Sequence, residues 1–275
     1  MRNGRLLLAL LLTLGLAEAD VRAQALTGMT GTDNDTPLEV EADDGIEWQQ
    51  DGKVFIARGN AKATRGTLTV SAKTLKAFYE DAEGGQTKIT QLRAEEDVKI
   101  ASPGEAAYGQ LGYYDVTQSV MVLTGGRVRL ETKEDRITAD QQIEYWDVKR
   151  MAVARGNALA VRGDRRLRGD VLVAHMRETG DSKSAVHRVD AYGNIHVVTK
   201  EDVITAERGV YEVATGIVEL IGKVTLTRGP NQLNGCGATV NLKTGVSRLG
   251  SCVEAGKKGG RVRGLLTPDK DLTGE

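Results

Sequence analysis

Residues 54–66 read VFIARGNAKATRG and residues 151–163 read MAVARGNALAVRG, so the pentapeptide Ala-Arg-Gly-Asn-Ala occurs at 57–61 and again at 154–158, 97 residues later. The same offset brings Val98 onto Ile195, Ile100 onto Val197, Tyr114 onto Tyr211 and Gly125 onto Gly222. Glycines that close a short apolar run recur at Gly59, Gly125, Gly156, Gly193, Gly222 and Gly250, with a weaker site near Glu96 filling the first gap. Self-similarity of this kind marks stacked supersecondary units, none of which can bury its apolar face alone. Glycine fits places where a strand must bend or bulge, because it tolerates backbone angles that other residues resist.

Outward from these stretches the pattern has period two. Leu38 and Val40 alternate with Glu39 and Glu41, and Val98 and Ile100 flank Lys99. Tyr114 and Val116 flank Asp115, Val128 and Leu130 flank Arg129, and Tyr211 and Val213 flank Glu212. Such alternation predicts strands with one apolar and one wet face. Turn formers separate the runs, among them Gly84-Gly85, Pro103-Gly104, Gly125-Gly126 and Thr244-Gly245. The expected fold is all-β: an elongated, open-ended roll of repeated two-strand units with roughly 14–16 antiparallel strands. A compact sandwich fits less well, since the chain has only 2 Trp, 7 Tyr and 2 Phe with which to plug it.

The first residues read differently. Arg2 and Arg5 precede a mostly apolar run from Leu6 to Ala17, followed by Ala17-Glu18-Ala19 and Ala23-Gln24-Ala25. That order predicts a cleaved secretory signal over 1–25, a flexible leader over 26–36, the β-roll over 37–253 and a basic disordered tail over 254–275. The run is shorter than the roughly 20 apolar residues that a membrane-spanning helix needs. Export of the mature chain is therefore expected. Lys and Arg total 37 against 38 Asp and Glu, so charge gives no footprint for nucleic acid.

The two cysteines fall in CGATVNLKTGVSRLGSC, 236–252. A three-residue loop ending in Gly245 would pair Leu242 with Val246 and set Cys236 across from Cys252, close enough for a disulfide. A shorter loop or a bulge would shift the register by one and leave the thiols diagonal. Two cysteines so spaced lack the partners of a zinc site, so no metal is expected. His175, His187 and His196 show no ligand spacing, and no nucleophile motif, P-loop or dinucleotide fingerprint is present. Neither a cofactor nor an enzyme activity is expected. A continuous apolar face in an exported β-roll suits a groove for acyl chains lined by Leu38, Val40, Val98, Ile100, Tyr114, Val116, Val128, Leu130, Tyr211 and Val213. A purely structural repeat protein of the envelope is the rival reading.

Three stretches carry a resemblance: PLEVEAD (37–43), GKVFIARGNAKATRGTLTVSAKTLKAFY (52–79) and GYYDVTQSVMVLTGG (112–126). They resemble the OstA family, whose members include the periplasmic LptA-type lipopolysaccharide-transport proteins. The resemblance is clearest from Pro37 to Ala160 and weaker to about Cys252. It implies a β-jellyroll that binds lipid A acyl chains inside, with Leu38, Val40, Ile100, Tyr114 and Val116 on the inward positions. It also implies edge-strand addition to an inner-membrane LptC-like and an outer-membrane LptD-like protein, and a possible head-to-tail homo-oligomer. An LptC-like member is an alternative, but would retain a membrane helix. The carboxyl-terminal hairpin and the stretch GKKGGRVRGLLTPDK (256–270) depart from the family pattern.

Overall fold

The computed structural model describes residues 38–82, 87–179, 183–251 and 261–267. The expected signal and leader lie outside them. Within them the chain forms β-strands and no helix. The first half contains β1 (Leu38–Glu41), β2 (Gly45–Gln49), β3 (Val54–Arg65), β4 (Leu68–Asp81), β5 (Thr87–Ser102), β6 (Glu105–Asp115), β7 (Val120–Thr124) and β8 (Val128–Thr132). The second contains β9 (Asp135–Ala139), β10 (Gln142–Trp146), β11 (Met151–Arg162), β12 (Arg165–Thr179), β13 (Lys183–Val198), β14 (Asp202–Glu212) and β15 (Ile217–Arg228). It closes with β16 (Asn231–Asn241), β17 (Val246–Gly250) and β18 (Arg263–Leu265).

Every pairing is antiparallel, and once strands lying end to end are counted as one rib, each rib pairs with the ribs before and after it along the chain. β1 and β2 lie end to end along β3. β7 and β8 likewise share β6, β9 and β10 share β11, and β17 and β18 share β16. The eighteen strands are thus fourteen long ribs, four of them interrupted. At about 4.8 Å per step the row is about 60 Å long.

Each interruption, and a bulge in most uninterrupted ribs, falls at one crease. Consecutive residues adopt positive φ there: Gly59/Asn60, Glu96/Asp97, Gly125/Gly126, Gly156/Asn157, Gly193/Asn194 and Gly222/Lys223. The ladder slips at the corresponding places, for example between Arg58 and Ala61 and between Arg155 and Ala158. The crease folds every rib, and the two halves become two layers around one core. That core runs from Leu68, Ala72 and Ala94 through Ala139, Ile143 and Ala158 to Leu220, Val224 and Ala238.

The repeated pentapeptide is accounted for letter by letter. Ala57 and Ala154 are buried, and Ala61 and Ala158 entirely so. Arg58 reaches Glu47 and Arg155 reaches Glu144 on the outer surface. Gly59 and Gly156 sit at φ +79° and +83°, where a Cβ would lie 2.4 Å from Asp44 Oδ2 or 2.5 Å from Gln141 Cγ. Asn60 Nδ2 then donates to Asp43 Oδ2 at 2.8 Å, and Asn157 Nδ2 to Asp140 Oδ2 at 3.0 Å. The short polar asparagine tolerates the left-handed conformation and locks the bend to the neighbouring rib.

Three details differ from the sequence reading. Hairpin β16–β17 pairs Asn241 with Val246 and Gly237 with Gly250, closing on a four-residue loop, 242–245. The Asn241 side chain accepts from the Lys243 and Thr244 amides at 3.0 and 3.1 Å, which draws Leu242 into the turn. Continuing that register sets Cys236 against Ser251, one residue short of Cys252, which lies outside the described residues together with the expected disulfide. The segment expected to be a disordered tail contributes β18, which pairs Arg263, Gly264 and Leu265 with Asn234, Leu233 and Gln232. Gly250 ends β17 rather than bending it, and β18 lies on the same rib.

Candidate functional site

Strand alternation decides which side chains lie between the layers. Across the ribs, Phe55, Leu92, Tyr114, Met121, Tyr145, Ala152, Ala174, Tyr211, Val218 and Val240 share one register line in one layer. Val40, Ala63, Val70, Ile100, Ala107, Leu130, Ile137, Ala160, Leu167, Val197, Ile204 and Leu226 share the line facing it. The ten positions chosen from sequence all fall on the inward phase, but at different depths. Val98, Ile100, Tyr114 and Val128 are closed core, at most 6% exposed. Val40, Val116, Leu130 and Tyr211 are half-buried, and Leu38 and Val213 are exposed.

The amino-terminal end differs from the middle. Among the described residues β1 and β2 form an outermost rib, with no described rib to cover its inward side chains. Leu38, Ile46 and Trp48 are 54%, 56% and 55% exposed. Trp48 stacks on Phe55 with ring centroids 5.2 Å apart, Phe55 meets Tyr79 at 5.1 Å, and Trp48 Nε1 donates to Tyr79 Oη at 2.8 Å. This aromatic cluster holds the open end of the interior in a fixed shape. Ile46 and Trp48 were not picked out from sequence, although GIEWQ (45–49) alternates with period two; the interrupting Asp43-Asp44 breaks the run before it.

Far from the crease the two layers end in different margins. One carries aromatics: Tyr79, Tyr114, Tyr145 and Tyr211. Burial pushes the phenols of Tyr114, Tyr145 and Tyr211 up from their ordinary range. The other margin is charged. Arg162 donates from Nε and Nη2 to the two carboxylate oxygens of Asp135, both at 2.6 Å. Arg228 grips Asp202 the same way, both at 2.7 Å, and Asp202 is 2% exposed. Glu105 lies on the same margin, buried. Such fork-to-carboxylate pairs satisfy charges that would otherwise be costly to bury. The hydrogen bonds to Asp135 and Asp202 hold both guanidinium groups further into the charged form.

On the outer surface two carboxylates are also buried. Glu144 accepts from Gln142 and Trp146 and meets Arg155. Asp190 faces His175 Nε2 at 2.8 Å and Arg188 Nη2 at 2.8 Å. Burial alone would raise both carboxyls; the hydrogen bonds outweigh it and hold both below the usual range. These are strand-to-strand fasteners. Among the described residues no group of His, Cys, Asp and Glu is arranged to hold a metal.

The chain is similar to several known proteins. An uncharacterised protein of Rhizobium meliloti (strain 1021) is 28% identical over 133 residues, which cover 44% of this chain and 71% of that one. The crystal structure of LptH, the LptA homologous periplasmic component of the conserved lipopolysaccharide transport device from Pseudomonas aeruginosa, is 17% identical. It covers 49% of this chain and 95% of its own, with a TM-score of 0.42. The model of the family described as LptA/(LptD N-terminal domain) LPS transport protein matches twice, at residues 39–145 and 136–246. Those two matches span most of the folded ribs, and the chain belongs to this non-enzymatic family of lipopolysaccharide-transport proteins.

Proposed function

We propose that this protein is a periplasmic carrier or bridge in the LptA manner, holding lipid A acyl chains between its two layers on the way from inner to outer membrane. The observation that carries the reading is the exposed apolar end of the interior, where Leu38, Ile46 and Trp48 have no rib beyond them among the described residues. Hydrocarbon placed there gains roughly 0.8 kcal/mol per buried CH₂. Half-buried Val116 and Tyr211 in one layer and Leu130 in the other continue the apolar lining along the row. The free long edges, β1/β2 and β17/β18, suit strand addition from an LptC-like and an LptD-like partner, or from a second copy. Family membership and the signal-like sequence at 1–25 support the periplasm. Cys236 and Cys252 form a staple on the last hairpin in this reading.

The rival is a solid rod, favoured by the closure around Val98, Ile100, Tyr114 and Val128. Mass spectrometry of lipid extracted from protein purified out of its own envelope separates the two. An acylated glucosamine disaccharide at near-stoichiometric amounts is expected. Protein free of lipid would leave only the rod.

A further inference from the structure

The 97-residue repeat allows each position of the second unit to be compared with its counterpart in the first. Arg65 and Arg162 correspond, both on inward positions at the charged margin. Their hairpin partners differ: Arg65 pairs with Leu68, and Arg162 with Arg165. Leu68 is buried at 5% exposure and belongs to the core. Arg165, which takes its place in the second unit, is half-buried. It lies two residues before Leu167, which packs on the core, so its side chain stands on the same inward face.

Neighbouring charges leave it unmatched. Asp135 is occupied by both forks of Arg162, with Glu134 adding a 4.0 Å contact to the same guanidinium. Asp202 is occupied by Arg228, with Glu201 beside it at 3.6 Å. Thr199, between Arg165 and Asp202, accepts from the Asp202 amide. No hydrogen bond or ion pair joins Arg165 to any described residue. From the facing margin, the Tyr211 phenol is within electrostatic reach of both Arg162 and Arg165. A half-buried guanidinium turned toward an apolar interior is costly without an anion.

We infer that Arg165, with Arg162 and Tyr211, forms a site for a phosphate monoester borne on an acylated ligand, seated where the two layers part at the margin of the second unit. The inference rests on the acyl-groove reading above and adds the headgroup to it. Arg165 supplies a free planar fork that fits phosphate oxygens two at a time. Arg162 adds charge while Asp135 holds its plane, and Tyr211 supplies a phenolic O–H from the opposite layer. The chains of the same ligand would then run along the apolar line toward the crease. The first unit, with Leu68 at this position, has no such site.

The test uses the full mature chain and two probes, a diphosphorylated acylated glucosamine disaccharide and its fully dephosphorylated form. Arg165→Leu installs the residue that the first unit already tolerates, and Arg165→Lys keeps charge without the fork. Wild-type protein is expected to bind the phosphorylated probe at least tenfold more tightly than the other. Arg165→Leu should abolish that ratio while leaving the dephosphorylated affinity unchanged, and Arg165→Lys should restore part of it. Equal ratios in wild type and Arg165→Leu overturn the site but leave the groove standing. Failure of wild type to bind either probe overturns the groove and the site together. Inorganic phosphate is the third arm. Competition at millimolar concentration, lost in Arg165→Leu, assigns the site to free phosphate, and persistence of the ratio without competition assigns it to the lipid headgroup.

Discussion

At the scale of single residues, the bends rest on glycine followed by a residue able to enter the left-handed region. Gly59→Ala or Gly156→Ala adds a Cβ at positive φ, within 2.4–2.5 Å of Asp44 or Gln141. Each is expected to cost about 1–3 kcal/mol, read as a lowered urea midpoint with an unchanged slope. An unchanged midpoint would show that the crease accommodates a side chain. Glu144 gives a pH signature. Its carboxyl, held low by Arg155, Gln142 and Trp146 against the opposing effect of burial, contributes stability that is complete above the ordinary glutamate value of about 4.3. That stability is lost as pH falls through the lowered folded value. Urea midpoints between pH 6 and pH 3 should fall steeply in wild type and less steeply in Glu144→Gln. Parallel curves would remove Glu144 from the acid response.

At the scale of elements, alternation in the sequence identified most of the strands, and the glycine spacing located the crease, including its weak member at Glu96/Asp97. What alternation cannot convey is depth. LEVE (38–41) and DVKI (97–100) alternate equally well, yet Leu38 is half exposed and Ile100 is 2% exposed, because one lies on an outermost rib and the other is covered on both sides. Ile100→Ala is therefore expected to cost about 2–5 kcal/mol in a denaturant titration. Ile46→Asp should shift the midpoint by no more than about 0.5 kcal/mol. If the free edge recruits a partner, the same Ile46→Asp should lose copurification with it; retained copurification would place the contact elsewhere. The turn at 242–245 was misjudged for a local reason. Asn241 both ends β16 and caps the loop with its own side chain, an event that periodicity does not register. β18 escaped because its Gly-rich surroundings read as tail.

At the scale of the whole molecule, the 97-residue repeat is a unit of six ribs. β1/β2 through β7/β8 form the first unit, β9/β10 through β15 the second, and β16 with β17/β18 begin a third that stops after two ribs. Asp135 of the second unit corresponds to Gln232 of the third. Excising residues 135–231 should therefore join β8 to the remainder of β16 with strand direction and crease preserved. In a one-dimensional array such as this the shortened protein is expected to fold cooperatively. Its urea slope should fall by roughly 40%, in proportion to the surface removed. A non-cooperative melt would show that the units depend on contacts beyond their neighbours.

Fourteen is an even number, and this fixes how the molecule can be tethered. The first rib starts at Leu38 opposite Arg65, and the last finishes at Leu265 opposite Gln232. The described row therefore begins and ends at the charged margin, at opposite extremities, while the turns 116–119, 147–150 and 213–216 lie at the tyrosine margin. A label attached at Leu38 and another at Leu265 would therefore sit on the same flank, separated by about the full 60 Å of the row.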